Sequence, residues 1–162
     1  MELIIRQAGP EDFDDIWEIF HAVVSRGDTY TFAPDTTQEE AHAIWMSPQV
    51  WTYVATDNGS VVGTYFMRTN QPGLGSHVVN AGYMVKPGAQ GRGIGRAMCE
   101  HSLAEARALG FLAMQYNIVV STNESAVALW KKMGFEIVGT LPKVFRHLEL
   151  GLVDAYVMHR FL

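Results

Sequence analysis

Residues 90–96 read Gln-Gly-Arg-Gly-Ile-Gly-Arg, with glycine at every second position from Gly91 to Gly95. Glycine leaves the backbone without a Cβ, so a ligand can approach the amides closely. Gly82-Tyr83-Met84-Val85 just before it reads as the end of a strand, and Pro87-Gly88 marks the turn between. Behind the loop, Cys99, Leu103, Ala106 and Leu109 recur at helical spacing. Strand, glycine loop and helix start in that order suit phosphate, because free N–H groups and the positive end of the helix dipole face the anion. Arg92 and Arg96 add positive charge at the same spot. Glycine-rich turns that bind nothing are common, so the details of spacing decide. No G-x-x-x-x-G-K-[ST] occurs, which excludes a P-loop. The spacing is not G-x-G-x-x-G, and no acid ends a strand about 20 residues on, as a dinucleotide fold wants.

Two asparagines stand out next. Asn80 lies mid-strand among Val78, Val79 and Ala81, and Asn117 between Tyr116 and Ile118. Asparagine is disfavoured in strands and a buried unpaired amide is costly. Flanking the slot that the glycine loop opens, the pair suits a ligand's carboxylate or carbonyl; the alternative is that they satisfy each other or the backbone. Residues 27–35, Gly-Asp-Thr-Tyr-Thr-Phe-Ala-Pro-Asp, mix hydroxyls with aromatics, which suits either a substrate wall or a cover over the core. The six histidines are scattered without H-E-x-x-H or paired-ligand spacing, so no metal is expected. His77 and His147 sit beside loops, where a base could act or a structural histidine could rest. The absence of G-x-S-x-G removes a hydrolase elbow.

Around these residues the chain has the size and balance of one globular domain spanning 1–162, with 48% apolar residues. A net charge of −5, from 12 basic and 17 acidic residues, argues against nucleic acid or an anionic membrane as partner. No apolar run reaches the length of a membrane span, and the start Met1-Glu2-Leu3-Ile4-Ile5-Arg6 lacks a signal layout. The single cysteine, Cys99, cannot form an internal disulfide, which matches a reducing cytoplasm, and its place on an apolar stripe favours an inert core thiol. A homodimer stays open.

The pattern predicts the order β α α β β β α β α β β. Leu3-Ile4-Ile5 forms a strand, and Gly9-Pro10-Glu11-Asp12 opens a helix carrying the stripe Phe13, Ile16, Trp17, Phe20, Val23 and Val24. Thr36 and Thr37, each three residues before a glutamate, cap a second helix with Ala41, Ile44 and Trp45 inside. Runs 51–56 and 61–68 form a hairpin about Asp57-Asn58-Gly59-Ser60. Strand 77–85 leads into the glycine loop and the helix from about Ile94 to Leu109, then strand 112–120 follows. Thr122-Asn123 caps a helix with Ala126, Leu129, Trp130 and Met133 on one face, Asn123 accepting from backbone N–H groups. Residues 135–139 and 152–161 complete the sheet, with 142–151 as the loop between them.

Two motifs carry a resemblance. Gln90-x-x-Gly93-x-Gly95 after a V-x-P strand end resembles the acetyl-CoA pyrophosphate loop of the GNAT acyltransferase superfamily. Asn123-Glu-Ser-Ala126-Val-Ala-Leu129-Trp130-Lys-Lys-Met-Gly134-Phe135 is similar to its N-x-x-A-x-x-L-Y-x-x-x-G-F motif. The likeness implies the GNAT acyl-CoA N-acyltransferase fold, an α/β (α+β) arrangement with a mixed twisted sheet of about seven strands and four helices. It implies acetyl-CoA as co-substrate, its pantetheine and acetyl group along Tyr83, Met84 and Val85 and its pyrophosphate on Gln90, Gly91, Arg92, Gly93, Ile94, Gly95 and Arg96. Asn123 would lie near the thioester, and an oxyanion would rest on backbone N–H near Val85. Trp130 stands where the family has a tyrosine that protonates the leaving thiolate; an indole donates but is no useful acid.

More narrowly, Asn80, Asn117 and Asn123 with the Gly27-Asp28-Thr29-Tyr30 loop resemble fungal N-acetyltransferases that act on proline analogues. More broadly the chain resembles the phosphinothricin and methionine-sulfone acetyltransferases. That likeness implies Asn117 and Asn123 in catalysis, and Asn80, Asn117, Asp28, Thr29, Tyr30 and Phe32 around a small amino or imino acid. A protein N-terminus or an aminoglycoside as acceptor, and a CoA-binding sensor without turnover, remain the alternatives.

Overall fold

The computed structural model describes all of residues 1–162. Strand β1 (Leu3–Gln7) is followed by helices α1 (Phe13–Val24) and α2 (Gln38–Trp45), then β2 (Trp51–Asp57), β3 (Ser60–Thr69) and β4 (Val78–Val85). Helix α3 (Ile94–Ala108), β5 (Ala113–Val120), α4 (Glu124–Lys132), β6 (Glu136–His147) and β7 (Gly151–Phe161) complete the chain. The expected order therefore holds. One seven-stranded sheet in the order β1-β2-β3-β4-β5-β7-β6 carries everything else.

Local chemistry accounts for the elements. Pro10–Asp12 forms a 3-10 turn ahead of α1, and the Asp12 carboxylate accepts the Gly9 N–H (2.7 Å) and both arms of the Arg6 guanidinium (2.7 and 2.8 Å). The Arg6 guanidinium holds the Asp12 carboxyl below its ordinary range, outweighing burial, which pushes the other way. At the β2–β3 turn, Asn58 and Gly59 both take positive φ (48° and 83°), the conformation that a two-residue hairpin requires.

One expected boundary is corrected. Residues 142–151 are mostly strand, since β6 runs on to His147 and pairs Phe145 with Val153, Arg146 with Leu152 and His147 with Gly151. Pro142 and Lys143 (φ 50°) sit in a bulge between Leu141 and Phe145, and they disguised the continuation as a loop. The short turn beyond is closed by His147, whose Nδ1 accepts the N–H groups of Glu149 (3.1 Å) and Leu150 (3.2 Å).

Two cores lie on opposite faces of the sheet. On one, α3 and α4 bury Met98, Leu103, Ala106 and Trp130 against Tyr65, Met114 and Tyr116. On the other, α1 and α2 bury Ile16, Phe20 and Trp45 against Val54, Phe66 and Met84. Alternation along β4 serves both, with Val79, Ala81, Tyr83 and Val85 turned to the first core and Met84 to the second.

All strand pairs but one are antiparallel. The parallel pair β4–β5 is in register only at Val78↔Ala113 and Val79↔Met114. Past those residues the strands part, and β5 carries an irregularity between Tyr116 and Val119 where it meets β7. The sheet is thus open on the C-terminal half of β4, beside the glycine loop.

Candidate active site

A cleft of about 690 Å³ begins at the glycine loop and runs through the gap between β4 and β5 to the end of α1. Its mouth is the α3 N-terminus. Gly91 and Gly93 adopt φ of 76° and 80°, a left-handed backbone that side chains resist, and a Cβ at either would meet no atom within 4 Å. Gly93 is the N-cap and has no side chain to offer, and no acid lies in the first turn. The first intrahelical bond is Ala97 N–H to Gly93 C=O (3.0 Å), so the amides of Gly95 and Arg96 meet the opening unpaired. Gln90 shapes the loop from within by accepting the Gly88 N–H (2.7 Å).

Among the residues singled out from sequence, Tyr83, Met84, Val85, Gln90, Gly91, Gly93, Ile94, Gly95, Arg96 and Asn123 line this cleft together with Thr29 and Tyr30. Arg92 does not, because its guanidinium is bonded to Asp57 at the end of β2. Phe32 packs instead on Phe20 (centroids 5.3 Å) and Tyr30 (5.8 Å), and Asp28 is held by Arg26 (3.6 Å). Asn80 and Asn117 also stand outside. Asn80 alternates with Tyr83 and so shares the face of Met84; Asn117 lies opposite Tyr116 on β5. The Asn117 side chain donates to Asn70 Oδ1 (2.7 Å) and accepts from Gln115 Nε2 (2.9 Å), so it does not pair with Asn80.

Asn123 departs from expectation in a useful way. It is the N-cap of α4, but its side chain makes no capping bond to the backbone. Its Oδ1 accepts only from the Ser125 hydroxyl (3.3 Å), and the amide nitrogen of this cleft-lining residue makes no hydrogen bond within the protein. The backbone alone starts the helix, through Val127 N–H to Asn123 C=O (3.1 Å).

Sequence reasoning missed the cleft's floor. Tyr116, Ile118 and Val120 of β5 and Arg26 at the end of α1 all line it. The uneven apolar run of β5 was the available signal, but the bulge that turns both Ile118 and Val119 to the cleft breaks the alternation that would have revealed it. Below the floor, Tyr116 donates to Tyr83 Oη (3.0 Å), which is bonded to Ser102 (2.7 Å). Burial raises both phenols well above their ordinary pKa and pushes the Cys99 thiol up to about 11. Cys99, on the buried face of α3, is thus a protonated core thiol. Trp130 packs between Tyr83 and Tyr116 at 5.0 Å from each. No carboxylate and no imidazole lines the cleft.

The sheet parts between its two parallel strands, and an uncapped helix start stands at the mouth of the gap. The chain belongs to the acetyltransferase (GNAT) family, whose profile matches residues 13–135. A GCN5-related N-acetyltransferase from Kribbella flavida is 44% identical and superposes with a TM-score of 0.94, covering 99% of this chain and 98% of the other. The L-amino acid N-acetyltransferase AaaT of Escherichia coli is 30% identical, with 98% of each chain covered. A phosphinothricin acetyltransferase from Sinorhizobium meliloti, solved with acetyl-CoA, is 25% identical with a TM-score of 0.85, covering 100% of this chain and 89% of that one. Against the N-acetyltransferase aca1 of Schizosaccharomyces pombe, 33% identical over 99 residues, the match covers 60% of this chain and only 47% of the relative.

Proposed function

We propose that residues 1–162 act as one N-acetyltransferase domain that moves acetyl from acetyl-CoA to the amine of a small amino or imino acid. The observation that carries the acceptor class is the end-to-end likeness to an L-amino acid N-acetyltransferase. The cleft supports it with Arg26, a cation at its α1 end whose pairing with Asp28 is loose (3.6 Å) and leaves guanidinium donors for an acceptor carboxylate. A reducing cytoplasm suits the single buried thiol.

In this reading the amides at Gly91, Gly93 and Gly95 take the pyrophosphate and the backbone of Val85 pairs with the pantetheine arm as an added strand would. The acceptor amine attacks the thioester carbonyl directly, since the only thiol is buried and protonated and no serine–histidine pair faces the cleft. The oxyanion rests on N–H groups along the open edge of β4, with the Asn123 amide in reach. Trp130 cannot donate a useful proton, and a thiol with an ordinary pKa of about 8.5 leaves as thiolate without one. The amine's proton leaves through water: no carboxylate or imidazole lines the cleft itself, and the carboxylate in the acceptor's wall, Asp28, is paired with Arg26 (3.6 Å). Asn80 and Asn117, on the α1/α2 face, border the side from which the acceptor arrives, with Asp28, Thr29, Tyr30 and Phe32 forming its wall.

The test is CoA release measured over amino acids, azetidine-2-carboxylate, methionine sulfone, polyamines, aminoglycosides and peptides. Turnover is expected with small amino or imino acids and not with peptides. Turnover confined to peptides, polyamines or aminoglycosides overturns the acceptor class. Acetyl-CoA binding with no turnover on any acceptor overturns the enzyme in favour of a sensor.

A further inference from the structure

The open edge of β4 is not bare. Lys86 N–H donates to Val62 C=O (2.8 Å) and Val78 C=O accepts from Asn70 (2.9 Å), so even-numbered residues of this stretch direct their backbone groups toward β3 and beyond it. Ala81, Tyr83 and Val85 therefore point theirs into the gap toward β5. At Tyr83 both groups are taken by one side chain. Its N–H donates to the Tyr30 hydroxyl (2.8 Å), and that hydroxyl donates to its C=O. A single phenol plays the part of a neighbouring strand.

The placement is built. Tyr30 stacks on Phe32 with planes 12° apart, and Phe32 leans on Phe20 of α1. Gly82 lies under the same group: a Cβ there would touch the Tyr30 hydroxyl at 3.6 Å, an ordinary contact, but would press on the Phe66 ring at 2.9 Å. Burial keeps the phenol protonated, so it remains a donor and is no base. The two residues before it, Asp28 and Thr29, each carry a buried oxygen, Oδ1 and Oγ1, with no hydrogen-bond partner.

Val85, two residues on, has no such side chain across it and is where the terminal amide of the pantetheine pairs. Two residues of strand span about 6.7 Å. An extended N–CH2–CH2–S–C(=O) arm covers roughly 6 Å, by ordinary bond lengths. A ligand paired at Val85 therefore brings its thioester carbonyl to the Tyr83 N–H, where the phenol sits.

We propose that the Tyr30 hydroxyl is a displaceable stand-in for the thioester carbonyl. It holds the Tyr83 N–H oriented and dry in the free protein, and it gives way when the acyl group arrives. Its release frees the 27–35 loop, the acceptor's wall, so the acyl group sets the second site before the amine enters. This rests on the reading that acetyl-CoA lies in the cleft with its arm on Val85.

The comparison of acetyl-CoA with free CoA isolates the step, because CoA reaches Val85 but has no carbonyl to compete. Tyr30→Phe keeps the ring and removes the hydroxyl. By calorimetry this variant is expected to bind acetyl-CoA about tenfold tighter than wild type, with CoA affinity changed less than about twofold. Equal shifts for both ligands, or no shift, overturn the stand-in while leaving the cofactor site intact. Wild-type protein that binds neither ligand overturns the cofactor site and the stand-in together. Should the variant fail to fold, amide exchange on the wild type decides: residues 28–33 exchange faster with acetyl-CoA than with CoA, and equal exchange overturns the proposal.

Discussion

Helices α2 and α3 begin in opposite ways. At α2, Thr37 Oγ1 accepts the Glu40 N–H (3.2 Å) and the Glu40 carboxylate accepts the Thr37 N–H (2.8 Å), a closed capping box. Glu39 and Glu40 also answer the positive end of the dipole. At α3 the cap is Gly93, which has no side chain, no acid follows, and Arg96 adds a cation to an end that is already positive. A helix chosen for stability alone would gain about 1 kcal/mol from a capping side chain there. The 15-residue α3 forgoes it, because Ile94, Met98, Leu103 and Ala106 anchor it to the sheet regardless. Its open end is where the proposed pyrophosphate would supply the anion.

The largest break in that contrast comes from filling the open end. Gly95→Val is the clean substitution, since Gly95 has a helical backbone and a Cβ there meets only Leu129 (3.6 Å) and Val85 (3.9 Å) at ordinary contact distances. The valine intrudes where the pyrophosphate is proposed to lie. Losing two charge-assisted bonds of about 2 kcal/mol each raises the acetyl-CoA Kd about 10³-fold, read by calorimetry. The melting temperature should stay close to wild type. Normal affinity in Gly95→Val moves the pyrophosphate elsewhere.

Next comes α4, which stands between the two cases. Asn123 is a residue type that caps well, yet its side chain caps nothing. Asn123→Ser should lower kcat about 100-fold by shortening a group proposed to reach the reacting centre. It should leave the melting temperature unchanged or slightly higher, because serine can make the capping bond that asparagine forgoes. A variant with full kcat returns the oxyanion to backbone donors alone. The closed end supplies the control: Thr37→Ala should cost about 1 kcal/mol in denaturant unfolding and leave acetyl-CoA Kd untouched.

The same contrast separates what sequence could and could not tell. The stripes of α1 and α3, the Asn58-Gly59 turn and the glycine loop were all legible, because each rests on spacing within a few residues. So was the succession of all seven strands along the chain. What escaped depends on partners far along the chain. Pro142 and Lys143 read as a loop because a bulge looks like one without the β7 residues opposite. Asn117 read as a neighbour of Asn80, but Asn70, 47 residues away, takes its amide. The tie from Tyr30 to the Tyr83 backbone spans 53 residues, and no local pattern encodes it.

The smallest effects belong to the two arginines of the loop, which sequence treated alike. Arg96 lines the cleft and is bonded to Glu100 (2.8 Å) with both side chains largely exposed. Arg92 is bonded to Asp57 and does not line the cleft. Exposed charges act on a ligand through screened attraction worth well under 1 kcal/mol, while the amides remain in place in either variant. Arg96→Ala should therefore raise the acetyl-CoA Kd about threefold and flatten its dependence on salt. Arg92→Ala should change Kd less than about twofold and leave the salt dependence as it was. The reverse ranking, with Arg92→Ala the more damaging, means that Arg92 leaves Asp57 for the ligand and that the loop closes on binding.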